Sequence, residues 1–405
     1  MSAAWQDDYA AHMMRTFGVP ERLLVRGQGC WVEDSAGEQL LDFLAGIAVN
    51  ALGHAHPELV RTISAQAGTL VHVSNFFATE PQLTLAARLL ALSGATDEGR
   101  VFFANSGTEA NEAAFKLARL HGGQDRPVIL ALDLGFHGRT MGALALTGKP
   151  AMRAPFEPMP AGVQHIAPTI EALEAALTGQ VAALVVEPIQ GEAGVRPLPE
   201  GFLERARELT REHGALLIVD EIQTGIARTG EMFGFQHAGI LPDAITLAKG
   251  LGGGVPIGAL VALTPVAADL FAPGMHGTTF GGNPLAAAAA NTVLDVVERD
   301  GLVAAANREG QRIRDLVLGL GSSLVTGLRG QGLLLGVELS APVAPAVVAA
   351  ALAAGLIVNA PDAHTVRLAP PLIVGEAEIA VFGERFAAAL ARVEAELARE
   401  VLTEA

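Results

Sequence analysis

The strongest constraint on this chain is a set of short, continuously apolar runs spaced through its middle. Six stand out: RVFFAN (100–105), PVILALD (127–133), VAALVVEP (181–188), ALLIVDE (215–221), AITLAK (244–249) and GALVAL (258–263). A strand with one solvated face alternates apolar and polar residues. These runs do not alternate, so both faces are expected to be covered, as in a parallel or mostly parallel sheet. Between them lie helix-patterned stretches such as EANEAAFKLARL (109–120) and PEGFLERARELTREHG (199–214). The alternation predicts an α/β layer architecture.

Toward the C-terminus the pattern changes. Helical stretches near 285–298, 301–319 and 376–401 enclose short strands around 331–339 and 355–368, which reads as a smaller α+β domain. Near the N-terminus, CWVEDSAGEQLLDF (30–43) looks like a hairpin. The expected division is an N-terminal segment (1–60) packing with the small domain, a large domain (61–285) and a small C-terminal domain (286–405). A net charge of −16 and a pI near 5.1 argue against nucleic acid or an anionic membrane as partner. The lone Cys30 excludes an intrachain disulfide, fits a reducing compartment and is expected to be a packing residue. The polar N-terminus has no signal-peptide pattern, so the chain reads as cytoplasmic. The apolar run 341–358 is broken by Pro342, Pro345 and Gly355, and predicts an alanine-rich helix feeding a short strand rather than a membrane span.

Only three lysines occur, Lys116, Lys149 and Lys249, against 24 arginines. A lysine kept in such a chain is a candidate for work a guanidinium cannot do, because an ammonium can lose its proton and become a nucleophile. Lys249 ends an apolar run and precedes the glycine-rich GLGGGVPIG (250–258). An amine there suits a Schiff base with an aldehyde cofactor, although a solvated strand-end lysine fits the same pattern.

Other segments carry candidate chemistry. In NSGTEANEAAFKLAR (105–119), Ser106 and Glu109 have capping-box spacing, and Gly107 and Thr108 would open a helix N-terminus to a phosphate; an ordinary capped helix would look alike. Asp220 follows an apolar strand, and a carboxylate there needs a charged partner such as a protonated pyridine nitrogen or a metal. No cluster of metal-ligand spacing accompanies it, and His54 and His56 lack a third ligand, so no metal is expected. In DLGFHGRTMGALALTGK (133–149), Phe136 could stack on a ring and Arg139 could grip a carboxylate, or they could be a core aromatic and a surface ion pair. VEPIQGEAGV (186–195) holds Glu187 and Glu192, HGTTFGGNP (276–284) pairs threonines with glycines, and HTVRLAPPL (364–372) isolates Arg367 among apolar residues, where an anion must meet it.

Taken in this order, these segments resemble the class-III (ornithine aminotransferase-like) pyridoxal-phosphate aminotransferases, from LLDFLAGIAVNALGHAHP (40–57) to VRLAPPLIV (366–374). LAGIAVNALGH, HVSNFFATEPQ (72–82), FHGRTMGALALTGK and LAKGLGGGVPIGA are nearest in wording to members that act on N-acetylornithine. The resemblance implies the fold type I of pyridoxal-phosphate-dependent transferases, with a large, mostly parallel-sheet domain and a smaller α+β domain. It implies that Lys249 holds pyridoxal 5'-phosphate and moves the proton, Asp220 pairs with the pyridine nitrogen, Phe136 stacks on the ring and Gln223 approaches its 3-oxygen. Gly107 and Thr108 would bind the phosphate, completed by Thr279 of the neighbouring subunit in a homodimer, with Thr278 near the substrate. Arg139 would hold the α-carboxylate of acetylornithine, and Arg367 that of glutamate or 2-oxoglutarate. Glu192 would pair with Arg367 for the amine donor and swing away for the dicarboxylate, while Asn75 and Phe76 line the substrate entrance. The implied reaction moves the δ-amino group of N2-acetylornithine to 2-oxoglutarate by a ping-pong route. Rival substrates are succinylornithine, succinyldiaminopimelate, ornithine, 4-aminobutyrate or an acylated lysine, and an aminomutase is a second class. Two departures stand out: Ala193 and Ala227 occupy places where Gly is commoner in the family.

Overall fold

A computed structural model of the chain describes residues 2–95 and 97–404. Its centre is a seven-stranded sheet: β1 (Arg100–Ala104), β2 (Val128–Leu132), β3 (Val163–Ile166), β4 (Val181–Val186), β5 (Leu216–Asp220), β6 (Ala244–Leu247) and β7 (Gly258–Ala262), in the order β1-β7-β6-β5-β4-β2-β3. Every residue of β4 to β7, and all but the first of β2, is buried, as unbroken apolar runs require. The strands from β6 to β3 pair in parallel, and β7 runs antiparallel to both β6 and β1. The sheet is therefore mostly parallel.

One strand lay outside the sequence expectation. β3 reads VQHI and closes an edge, where one side is left to polar residues and the apolar signature is lost.

Helices flank this sheet, and their apolar faces supply its cover. In the helix Gly107–Gly122, Ala110, Ala113, Ala114, Leu117 and Ala118 are buried, together with the polar Asn111. Ser106 caps it through its hydroxyl, which accepts from Glu109 N at 3.3 Å. The return half of the expected capping box differs: Glu109 Oε2 accepts from Asn105, both N and Nδ2 at 2.8 Å, one residue before the cap. That choice fixes Asn105 at the end of β1.

A second sheet joins Val325–Gln331, Leu334–Leu339, Thr365–Leu368 and Asn359–Asp362 in antiparallel array, covered by the helices Leu302–Gly319 and Ala344–Ala353. The N-terminal strands Leu24–Gln28, Trp31–Asp34 and Gln39–Asp42 form a third sheet, to which Leu356–Ile357 adds in parallel. The stacked rings of Phe43 and Phe382, centroids 4.3 Å apart, tie the same two ends of the chain together. The run 341–358 folds as a ten-residue helix feeding Leu356–Ile357, and no helix among the described residues is long and apolar enough to cross a membrane. Cys30 is buried in the core, and burial pushes its thiol up to about 12.

Candidate active site

Parallel strands deliver their following residues to one edge of a sheet. Ser106 to Thr108 after β1, Phe136 to Arg139 after β2, Glu187 after β4, Asp220 at the end of β5 and Lys249 after β6 all arrive there and line one cavity of about 440 Å³.

Lys249 adopts a left-handed backbone conformation (φ 39°), uncommon for a side chain of this size. Desolvation lowers its amine to about 8, opposed by the charges of Glu192, Asp220 and Glu187 and assisted by Arg367. Near that value an ammonium gives up its proton at modest cost and a neutral nucleophile is accessible.

Asp220 is 3% exposed and fully engaged. Its Oδ2 accepts from Asn111 Nδ2 and His137 Nδ1, both at 2.7 Å, and its Oδ1 accepts from Ile222 N at 3.0 Å. Burial alone would lower the His137 pKa, but the hydrogen bond to Asp220 and its charge turn the shift upward. Asn111 and His137 escaped the sequence reading. An asparagine among alanines and a histidine after a phenylalanine look ordinary until the fold brings their partner, 109 and 83 residues away, between them.

Glu187 Oε2 accepts from Phe136 N at 2.9 Å and so sets the loop that carries Phe136. Burial raises the Glu187 carboxyl to about 7. Thr108 Oγ1 lies 2.9 Å from Thr140 Oγ1 and accepts from the backbone N of Arg139 and Thr140 at 3.2 Å, which joins the helix N-terminus to the arginine loop. The fit there is close: a Cβ on Gly138 would fall 2.2 Å from Thr108 Oγ1, and one on Gly107 would fall 2.7 Å from Ile222 Cδ1. Arg139 is exposed, with its guanidinium carbon 5.6 Å from the centre of the Phe136 ring.

Bonded to Glu192 and Gln223, which line the same cavity, Arg367 is 1% exposed in the strand Thr365–Leu368. Its Nη1 meets Glu192 Oε1 at 2.5 Å and also donates to Gly191 O and Gln223 Oε1 at 3.3 Å, while Nε donates to Asn359 Oδ1 at 3.0 Å. Its Nη2 is buried without a hydrogen-bond partner. A buried guanidinium nitrogen left this way is a site for an incoming anion. Burial would raise the Glu192 pKa, but Arg367 reverses the sign and holds the carboxyl below its usual range. Gly191 is required where the chain passes Gln223, because a Cβ there would lie 1.7 Å from Gln223 Oε1.

Four of the expected residues gather elsewhere in the single chain. Asn75, Phe76, Thr278 and Thr279 line a separate, open concavity of about 700 Å³, with His72 and His276. Asn75 Nδ2 donates to Thr278 O and Gly281 O, and Phe76 is 91% exposed. The two hollows touch through Asn105, which lines the Lys249 cavity while its Nδ2 donates to Thr278 Oγ1 at 2.9 Å.

Of the two departures, Ala227 sits at φ 64°, a region where Gly is unstrained. Ala193 has no such demand; the left-handed residue of its turn is Gly194 (φ 97°). No group of three or more metal-ligating side chains occurs among the described residues.

The donor set fits a phosphorylated pyridine aldehyde. One cavity presents an amine of lowered pKa, a buried carboxylate held by three donors, an aromatic ring, and the N-terminus of the helix Gly107–Gly122.

Residues 14–390 match the family model described as aminotransferase class-III. The chain is 51% identical over 379 residues to the acetylornithine aminotransferase of Mycobacterium tuberculosis, covering 93% of this chain and 94% of that one. Among solved structures it resembles an ornithine aminotransferase from Toxoplasma gondii with PLP at partial occupancy in its active site (TM-score 0.92, 32% identity, 98% and 96% of the two chains). It also resembles the N-acetylornithine aminotransferase of Stenotrophomonas maltophilia K279a (TM-score 0.83, 37% identity, 96% and 99% coverage).

Proposed function

The chain belongs to the class-III aminotransferases, pyridoxal-phosphate enzymes, and from that premise we propose that it transfers the δ-amino group of N2-acetylornithine to 2-oxoglutarate, a step of arginine biosynthesis. The observation that carries the reading is the wall facing Lys249. There a replaceable carboxylate, Glu192, occupies one side of a buried arginine whose second side is unfilled.

When bound, the cofactor supplies an electrophilic carbonyl for an amine and a conjugated ring that accepts electron density as a proton leaves carbon. Lys249 Nζ would attach it and then take and return that proton. Asp220, held in place by Asn111 and His137, would keep the pyridine nitrogen protonated. Gly107 and Thr108 would receive the phosphate at their helix N-terminus. Phe136 would cover one ring face, and Gln223 would stand toward the ring oxygen.

The two substrates differ beside the reacting carbon, which carries only hydrogen in acetylornithine and a carboxylate in glutamate and 2-oxoglutarate. For the amine donor, Glu192 neutralises Arg367, and Arg139 at the cavity mouth takes the α-carboxylate of acetylornithine. For 2-oxoglutarate, a substrate carboxylate would replace Glu192 on Arg367. One pocket then serves both halves of a ping-pong cycle. Thr278, Thr279, Asn75 and Phe76 lie on the open concavity and would complete the site of a second copy. The exposure of Phe76, Phe77, Met275 and Phe280 along that surface supports a homodimer. A single buried cysteine is consistent with a cytoplasmic location.

Free ornithine is the rival substrate, favoured by the higher backbone similarity to the ornithine enzyme. Backbone likeness does not read the side chains that tell an acetyl group from an ammonium, whereas identity does, and identity is higher to the acetylornithine relative. Relative kcat/KM for the two donors tests the choice. Acetylornithine is expected to lead, and a preference for ornithine of about tenfold or more, about 1.4 kcal/mol, would reverse the assignment.

A further inference from the structure

Around Glu192 the chain gathers more positive charge than one ion pair needs. Three backbone carbonyls of the segment 191–194 each meet a different cation. Arg367 Nη1 donates to Gly191 O at 3.3 Å, Lys149 Nζ to Glu192 O at 2.6 Å and Arg329 Nε to Gly194 O at 2.7 Å. A backbone clamped at three points leaves Glu192 one easy motion, rotation of its side chain.

The three clamps are not equivalent. Arg367 holds the Glu192 carboxylate itself, and Arg329 is taken by Glu338 and Thr365. Among the described residues no carboxylate lies within ion-pairing distance of Lys149. It is nonetheless half-buried beside the cavity, where desolvation lowers its pKa and the charges of Glu192 and Glu187 oppose that shift. Its position is built in: Gly148 N donates to Gly135 O at 2.8 Å, Leu134 N donates to Gly148 O at 2.9 Å, and a Cβ on Gly148 would lie 2.1 Å from Leu132 O.

A carboxylate displaced from Arg367 in this part-buried setting needs another partner, because an unpaired charge there is costly. We propose that Lys149 receives the Glu192 carboxylate when a substrate carboxylate takes its place on Arg367, which makes Lys149 a positioning residue for dicarboxylate acceptance. An ammonium on a flexible stem has three donors, so it can keep the Glu192 carbonyl and gain the carboxylate at once. In a chain with only three lysines, this accounts for a second one beside the cavity. The inference rests on the reading of Arg367 as the dicarboxylate site.

The test is calorimetric binding of glutarate, an unreactive dicarboxylate, to the cofactor-loaded enzyme. Wild type is expected to bind, and Arg367→Ala to lose binding. Lys149→Gln should weaken the affinity about tenfold, with Lys149→Arg recovering it to within about threefold. In a Glu192→Ala background, Lys149→Gln should change the affinity by less than about twofold, because no carboxylate remains to be received. Equal weakening in both backgrounds would show a general charge or folding effect and overturn the proposal, as would an unchanged affinity for Lys149→Gln alone. Glutarate binding that ignores Arg367→Ala would instead overturn the dicarboxylate site itself, and this inference with it.

Discussion

The two charged walls of the cavity are built on opposite plans. On the Asp220 side both carboxylate oxygens are engaged: Asn111, His137 and the backbone amide of Ile222 hold one carboxylate in one place, although Asn111 Oδ1 and His137 Nε2 are themselves buried without a partner. On the Arg367 side the pairing is provisional, with a part-exposed glutamate on a fully buried arginine that keeps one unpartnered nitrogen. The first wall suits a ligand that stays and the second suits ligands that alternate. Preorganised charge stabilises a fixed partner without reorganisation, and exchange requires a group that can leave.

Substitutions can break this contrast, beginning with the group between the walls. Lys249→Ala is expected to leave a folded protein that binds the cofactor noncovalently and turns over roughly 10³-fold more slowly or worse. Stopped-flow absorbance and circular dichroism check both halves of that statement. On the fixed wall, Asp220→Asn keeps the shape but removes a buried charge facing His137, and roughly 10²–10³-fold should be lost in both half-reactions alike, the equivalent of ~3–4 kcal/mol. Loss in one half-reaction alone would mean that this wall also discriminates between substrates. At the cavity mouth, Arg139→Ala should impair both half-reactions by roughly tenfold or more through substrate affinity, seen as raised KM.

The smallest expected effect concerns stability and pH. The Lys249 amine falls from 10.5 when unfolded to about 8 when folded, so below pH 8 both states are protonated and the fold bears the full cost of the buried charge. Between about pH 8 and 10.5 the folded state has released its proton while the unfolded state keeps it, and stability rises with pH. Cofactor-free Lys249→Met should therefore be more stable than wild type at pH 7 by roughly 2 kcal/mol, allowing for water in the cavity, with the gap closing as pH approaches 10.5. Urea denaturation across that range would show a constant gap if the amine were not desolvated.

How far the sequence foretold this molecule depended on whether a feature was local. Six strands were legible because burial on both faces leaves an unbroken apolar run, and β3 was not, because an edge strand admits Gln164 and His165. The reversed direction of β7 left no trace in composition. Lys249 and Asp220 were legible as polar residues ending apolar strands. Asn111, His137 and Lys149 were not, since each gains meaning from a partner brought near by folding: Asp220 for the first two, Glu192 O for the third. The capping box was half legible, with Ser106 as expected and Glu109 turned instead to Asn105.

The contrast between a fixed and an exchangeable wall stands or falls on Arg367→Ala followed by single-turnover absorbance of each half-reaction. The account predicts that the acetylornithine half-reaction stays within about threefold of wild type while the 2-oxoglutarate half-reaction falls by roughly 10²-fold. Equal losses in the two directions would contradict it.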